Sequence, residues 1–230
     1  MINNKKVLAI TLARGGSLAI EKKNIAKICG KPLLQYTTDE VKKSKYIDRY
    51  IVSTDCDEIK EVCSDNEVEI YNRSAEFAQA TSKSADSLIE VINDLDEDFH
   101  YIVEIFCTNP LKKADDIDGC IEKIENTDAD SVVAVVRIWD LHPSRLKYIE
   151  DDILKDFYPE PVESRRQDLT PPAYARNGSI YITDVDRLLR ERDRLTGVLR
   201  PYVMAEDRTI NIDEFIDLEL ARHLIRNKNE

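Results

Sequence analysis

Short apolar runs alternate along this chain with longer stretches in which apolar residues recur every three or four positions. Residues 7–13 are apolar apart from Thr11, the mark of a strand covered on both faces. A helix is expected from residue 33 to about 44, with Leu33, Leu34, Tyr36, Thr37 and Val41 inward. Residues 50–54 read as a strand ending at Asp55, which is placed to cap a helix running to about residue 66. A short strand at 68–71 precedes a helix at 82–95 that aligns Leu88, Val91, Ile92 and Leu95. Residues 100–106 form another strand, broken by Cys107-Thr108-Asn109-Pro110; a helix at 115–124 and a β-branched strand at 131–136 follow. This order predicts a mostly parallel α/β sheet covered by helices, with ligands at the carboxyl ends of its strands.

The pattern changes between residues 139 and 176. Five prolines, many charges and little helical period fill a stretch too long for an ordinary connection. Trp139, Leu141, Leu146, Tyr148, Ile149, Phe157, Tyr158 and Tyr174 supply more apolar surface than a disordered segment carries. A lid over a site and an arm reaching a partner subunit both remain open, and the arm is the favoured reading. A strand at 179–182, a helix at 185–191, a strand at 199–204 and a closing helix at 213–227 complete the chain. The expected division is an α/β domain of residues 1–138 and 177–230 with an insertion at 139–176.

The first strand runs into Ala13-Arg14-Gly15-Gly16-Ser17, and Lys23-Asn24 follow closely. Glycines let backbone approach a ligand, and successive N–H groups in such a turn can hold an anion. Arg14 and Lys23 put positive charge where a polyphosphate would need it. A plain strand-to-helix turn with solvated charges explains the same residues. The net charge of −12 and pI near 4.9 disfavour a nucleic-acid binder. Five scattered cysteines without a C-x-x-C, and three distant histidines, suggest reduced intracellular thiols and neither a disulfide frame nor a zinc site. The N-terminus enters the first strand at once, so no signal peptide is expected, and no apolar run is long enough to span a membrane. A cytoplasmic location is the expectation.

Eight segments in order carry a resemblance to a known family. They are Ala13-Arg14-Gly15-Gly16-Ser17, Lys23-Asn24, Gly30-Lys31-Pro32-Leu33, Val52-Ser53-Thr54-Asp55, Thr108-Asn109-Pro110-Leu111, Arg165-Arg166-Gln167-Asp168-Leu169, Asn177-Gly178-Ser179-Ile180-Tyr181 and Ile210-Asn211-Ile212-Asp213. The chain resembles the CMP–sugar-acid synthetases, which activate sialic acid and related nonulosonic acids. The resemblance implies a Rossmann-like nucleotidyltransferase fold with a β-rich dimerisation arm, and CTP and an acidic nine-carbon sugar as substrates. It also implies Mg²⁺ as cofactor and a homodimer. On that resemblance Arg14, Lys23 and Asn24 serve catalysis, and Ala13, Gly15, Gly16 and Ser17 cradle the nucleotide beside Arg14 and Lys23. Arg73 lies near the nucleotide and Ser82 near the base. Thr108, Asn109, Arg165, Arg166 and Gln167 meet the sugar, the last three from the partner's arm. Asn211 and Asp213 hold the metal.

Several positions depart from that pattern. Leu18 and Ala19 stand where a lysine and a glycine are usual, and Phe106 replaces a sugar-contacting glutamine. Cys107 and Asn109 also differ, Lys112 replaces an arginine, and Asn211 replaces the first aspartate of the metal pair. Asn211 and Glu214 also have the spacing of a helix capping box. Another nucleoside triphosphate or substrate, or a catalytically weakened binding homologue, therefore stands as the alternative. Asp128-Ala-Asp130 and Asp184-Val-Asp186 match the letters of a glycosyltransferase metal motif, but a turn and a helix cap explain both.

Overall fold

The computed structural model describes residues 1–17, 19–79, 81–159 and 165–228, with Lys228 as backbone only. In chain order the elements are β1 (Val7–Leu12), β2 (Lys27–Ile28), β3 (Lys31–Pro32), α1 (Leu33–Val41), β4 (Arg49–Thr54), α2 (Asp57–Asp65), β5 (Glu69–Asn72), α3 (Ser84–Asn93), β6 (Tyr101–Ile105), α4 (Ala114–Glu125) and β7 (Ser131–Ile138). Then come β8 (Lys147–Glu150), β9 (Ile153–Asp156), β10 (Ala173–Asp184), α5 (Val185–Glu191), β11 (Leu199–Val203) and α6 (Phe215–Lys228).

Seven strands form one sheet in the order β11-β7-β10-β6-β1-β4-β5. Neighbours are parallel except β10, which runs antiparallel to both β6 and β7. The mostly parallel, helix-covered sheet expected from the sequence is therefore present. Its central strand is β1, whose side chains from Val7 to Ile10 are wholly buried. Val7 and Ala9 face Ile117, Cys120 and Ile121 of α4, while Leu8 and Ile10 face Leu88 of α3 and Leu188 of α5. Thr11, the polar exception in that run, is buried too. Its hydroxyl donates to the Ile105 carbonyl at 2.8 Å and lies 2.9 Å from the Tyr50 hydroxyl, so the strand loses no hydrogen bond by carrying it.

The chain reverses direction in the sheet between β1 and β6, and ligands of open α/β sheets bind at such a switch point. Two further features frame it. Strand β10 is interrupted by an irregularity between Arg176 and Tyr181, where Gly178 takes φ +59° against the side chain of Asn211. Helix α6 packs Leu218, Ala221 and Ile225 onto Ile28, Leu33 and Leu111, and Ile212 joins the same cluster.

Some local expectations fail. Asp55 does not cap α2; Cys56 holds the N-cap position without a side-chain bond. Asn211 and Glu214 form no capping box, because Asp217 accepts from the N–H groups of Asp213 and Glu214 (3.0 and 2.8 Å). After the glycine turn the chain makes a single 3₁₀ turn (Lys23–Ile25) and the small β2–β3 hairpin before its first helix. The Asp184 carboxylate caps α5 (3.0 Å to the Arg187 N–H) and Asp130 accepts from the Val198 N–H at 2.6 Å, so those two letter matches are structural.

The sheet is left after Ile138 and rejoined at Ala173, with Ala173–Arg176 already paired to β7. Between them, β8 and β9 pair as an antiparallel hairpin whose Ile149, Ile153 and Leu154 are exposed. No helix among the described residues is long and apolar enough to cross a membrane.

Gly119 shows how tightly α4 lies on the sheet. A Cβ there would stand 2.5 Å from the Tyr202 ring of β11. Alanine is the better helix former by ~1 kcal/mol, yet Gly119→Ala is expected to destabilise by about 1–3 kcal/mol through overpacking. Urea unfolding of Gly119→Ala, Tyr202→Leu and the double variant measures this, and the alanine penalty should shrink once the ring is removed.

Candidate functional site

Two adjoining cavities open at the carboxyl ends of β1 and β6. One, of about 300 Å³, is lined by Leu12, Arg14, Ser17, Ala19, Lys23, Asn24 and Asp213. The other, of about 190 Å³, shares Leu12 and Arg14 and adds Arg73, Ser82, Ser84, Glu104 and Phe106 among others. A larger, open groove of about 610 Å³ runs along α4 between Lys45 and Tyr202, but its charges are mixed and no parallel strand ends in it.

The glycine turn is fixed to its neighbours by backbone. Ala13 N–H donates to the Ser53 carbonyl (3.0 Å), and Gly15 N–H donates to the Asp55 carboxylate (3.0 Å). The turn thus does hold an anion, supplied by the residue expected to cap α2. Gly15 is needed for close approach to protein, since its Cβ would lie 2.8 Å from Cys56 Cβ; a Cβ on Gly16 would meet nothing within 4 Å. Leu18 lies outside the described residues.

Asn24 is buried. Its amide donates to the Arg14 carbonyl at 2.9 Å, and the Cys107 thiol donates to its oxygen at 3.1 Å. Burial pushes that thiol up to about 11, so it stays a neutral donor. Lys23 reaches across to the segment before α6. Its ammonium donates to the Ile212 carbonyl (2.8 Å) and pairs with Asp213 (3.0 Å), while Asn211 donates to the other Asp213 oxygen (2.5 Å).

Arg73 is 8% exposed, so it is no solvated surface charge. It grips the end of β4 through Ser53, at 3.1 Å to the hydroxyl and 2.6 Å to the carbonyl. Burial lowers its pKa, and Asp55, Glu90 and Glu104 oppose that. Ser82 donates to the Glu76 carbonyl (2.9 Å) and does not cap α3, whose N-cap is Lys83. Phe106 packs at a tilt against Tyr181 (5.3 Å between centroids, 59° between ring planes) and walls the smaller cavity without filling it.

Thr108 and Asn109 line neither cavity. The Thr108 carbonyl accepts from the Ile212 N–H (2.8 Å), and the buried Asn109 faces the Asn177 carbonyl at 3.5 Å. Arg165, Arg166 and Gln167 are exposed; Arg165 pairs with Asp168 and Arg166 with Asp140, and none of the three lines either cavity.

A family model described as cytidylyltransferase matches residues 8–181. The chain belongs to that family. Among curated cytidylyltransferase relatives, N-acylneuraminate cytidylyltransferase of Streptococcus agalactiae is 29% identical over 211 residues, covering 90% of this chain and 50% of that protein. The chain thus spans about half the length of such relatives. Pseudaminic acid cytidylyltransferase of Campylobacter jejuni is 28% identical over 231 residues, covering 98% of both chains. Among solved structures, a CMP:2-keto-3-deoxy-manno-octonic acid synthetase complexed with CTP shares the fold at TM-score 0.74 and 16% identity, covering 97% of this chain and 99% of that one.

Sequence reasoning passed over the ion pair at the smaller cavity, made by Glu104 of its wall and Arg194. Glu104 is a lone carboxylate in an otherwise apolar strand, which was a readable signal. Its partner Arg194 lies in a loop far along the chain, where nothing marked it.

Lys112 holds the loop after β6 in shape. Its ammonium, wholly buried, donates to Thr37 Oγ1 (2.8 Å) and to the carbonyls of Phe106 (2.8 Å) and Asn109 (2.5 Å). Burial pulls its pKa down from 10.5 to about 7. Between those values the unfolded chain carries a proton that the folded chain has lost. Stability from this group therefore rises with pH across that window, and the cost of the buried charge is full below it. Urea unfolding at pH 7.5 and 9.0 should show wild type gaining on Lys112→Met by up to about 1.4 kcal/mol per pH unit.

Proposed function

We propose that this chain transfers CMP from CTP to the anomeric hydroxyl of an acidic nine-carbon sugar, with release of pyrophosphate. The observation that carries the reading is the pair of joined cavities at the switch point, walled by Arg14, Lys23, Asn24 and Arg73. The names of the relatives from Streptococcus agalactiae and Campylobacter jejuni support the substrate class.

On this reading the hydroxyl oxygen attacks the α-phosphorus, the bond to the bridging oxygen of the β-phosphate breaks, and the hydroxyl proton passes to solvent. Arg14 and Lys23 neutralise charge on the phosphates, and Lys23 exchanges Asp213 for a phosphate oxygen. That exchange costs little, because an ion pair with an exposed partner is worth roughly 0–1 kcal/mol. Asn24, held at both ends of its amide, keeps one N–H for the reacting group.

Magnesium in such sites takes one or two carboxylates plus substrate phosphates. Asp213, with the Asn211 side-chain oxygen, fits that minimal donor set. No cluster of three His, Cys, Asp or Glu side chains able to hold a metal occurs among the described residues, so the phosphates would complete the shell. The ion would supply positive charge to the leaving pyrophosphate. The exposed apolar hairpin β8–β9 and the charged Arg165–Gln167 segment suit an arm that pairs with a second copy and meets its sugar carboxylate through arginine.

The test is pyrophosphate release from CTP, UTP, ATP and GTP with Mg²⁺ across a panel of acidic sugars. Release with CTP and a nonulosonic acid is expected; none with any pair overturns the reading. Lys23→Ala should then cost roughly 10²–10³-fold in kcat. Cys107→Ala should lower kcat about tenfold by freeing the Asn24 amide, and Cys107→Ser, which keeps a donor, should recover most of it.

A further inference from the structure

One oxygen in the smaller cavity has no use in anything described so far. Glu104 is 2% exposed and lies on the cavity wall. One carboxylate oxygen is paired with the Arg194 guanidinium. That guanidinium lies over the rings of Tyr181 (4.5 Å) and Phe106 (5.4 Å), which hold it in place. The other oxygen, Oε1, is buried without a hydrogen-bond partner among the described residues. Burial raises the Glu104 pKa; the paired Arg194, and then the Ser84 hydroxyl and Arg73, oppose that and favour the ionised form, yet neither Ser84 nor Arg73 makes a hydrogen bond to Oε1 of ordinary geometry. An ionised carboxylate can only accept, and leaving such an oxygen buried and unpaired is costly. Its position on a cavity wall points to a donor on a ligand.

The cavity's place says which ligand group that is. It joins the larger cavity through Leu12 and Arg14. A nucleoside triphosphate with its phosphates on Arg14 and Lys23 carries its base and ribose into the space beside Glu104. We propose that Glu104 reads the nucleobase, its free oxygen accepting a hydrogen bond from the exocyclic amino group of cytosine. Uracil presents a carbonyl oxygen in that place, and two acceptors face to face repel. Selection of CTP over UTP then rests on a charge-assisted hydrogen bond made by one partner and denied to the other. This inference rests on the nucleotide reading above and adds the residue that chooses the base.

The experiment measures binding of CTP, UTP, 2′-deoxy-CTP and the 4-deamino analogue of CTP by calorimetry, without sugar, to wild type and Glu104→Gln. The amide of the variant can turn its NH₂ toward a uracil oxygen. Wild type should bind CTP ~10- to 100-fold more tightly than UTP or the 4-deamino analogue, and Glu104→Gln should lose most of that preference. Loss of affinity for 2′-deoxy-CTP alone would mean the oxygen serves the ribose and overturns the proposal. So would an analogue that binds wild type as well as CTP, or an unchanged CTP/UTP ratio in the variant. Should circular dichroism show Glu104→Gln unfolded, the double variant Glu104→Leu/Arg194→Leu takes its place, since it removes both buried charges together. Wild type that binds no nucleotide at all would instead overturn the function proposed above.

Discussion

Strand β1 is hydrogen-bonded in parallel to β4 on one side and to β6 on the other, and the rest of the site depends on that double pairing. It brings three carboxyl ends together, at Leu12, Thr54 and Ile105. Each loop that leaves them is then tied to another. Ala13 bonds to Ser53, Gly15 to Asp55, and Arg73, arriving from β5, also grips Ser53. The loop after β6 is closed from beneath by the Lys112 ammonium, which spends its three donors on Thr37, Phe106 and Asn109. Burial disfavours the charge there and pulls the Lys112 pKa down to about 7, and the three acceptors around the nitrogen offset part of that cost while it is protonated.

The far side of the site is made by parts of the chain distant in sequence. Helix α6 buries Leu218, Ala221 and Ile225 against the β2–β3 region, and Ile212 sits in the same apolar cluster. That anchor fixes the segment 211–213. From it, the Ile212 N–H reaches the Thr108 carbonyl, and its carbonyl receives Lys23. The irregularity in β10 leaves Gly178 against Asn211, so the antiparallel strand shapes the same corner. Asp213 therefore stands beside Lys23 because a hydrophobic helix face holds it there, before any ligand is considered.

These two levels explain what the sequence disclosed. Residues 7–13, 131–136 and the periodic helices carried their burial in their spacing, so sheet and covering helices were legible. Arg14, Lys23 and Asn24 were legible because the turn that bears them follows the central strand directly. Contacts between distant segments were not. Asp55 has a fitting side chain and position for a cap, but Gly15 N–H, brought near by strand pairing, takes its carboxylate instead. Asn211 and Glu214 have capping-box spacing, yet Asp217, one turn into the helix, bonds the N–H groups first. In the first case local propensity gave way to a partner that only the tertiary fold supplies; in the second it gave way to a competing local carboxylate. Arg73 could be placed near the nucleotide only by resemblance; its burial against Ser53 at the end of β4 comes from strand pairing that its own sequence neighbourhood does not reveal.

The electrostatics of the site bear on the departures from the family pattern. The chain carries a net charge of −12, so a polyanion approaches against the global field and depends on local cations. Two of those cations are already matched: Lys23 faces Asp213, and Arg73 lies among Asp55, Glu90 and Glu104. The Gly15 N–H likewise holds a carboxylate. At the corner opposite the glycine turn the amide of Asn211, which on the resemblance stands in place of an aspartate, donates a hydrogen bond to Asp213. A second carboxylate there could only accept and would repel Asp213, so the amide steadies the carboxylate that faces Lys23.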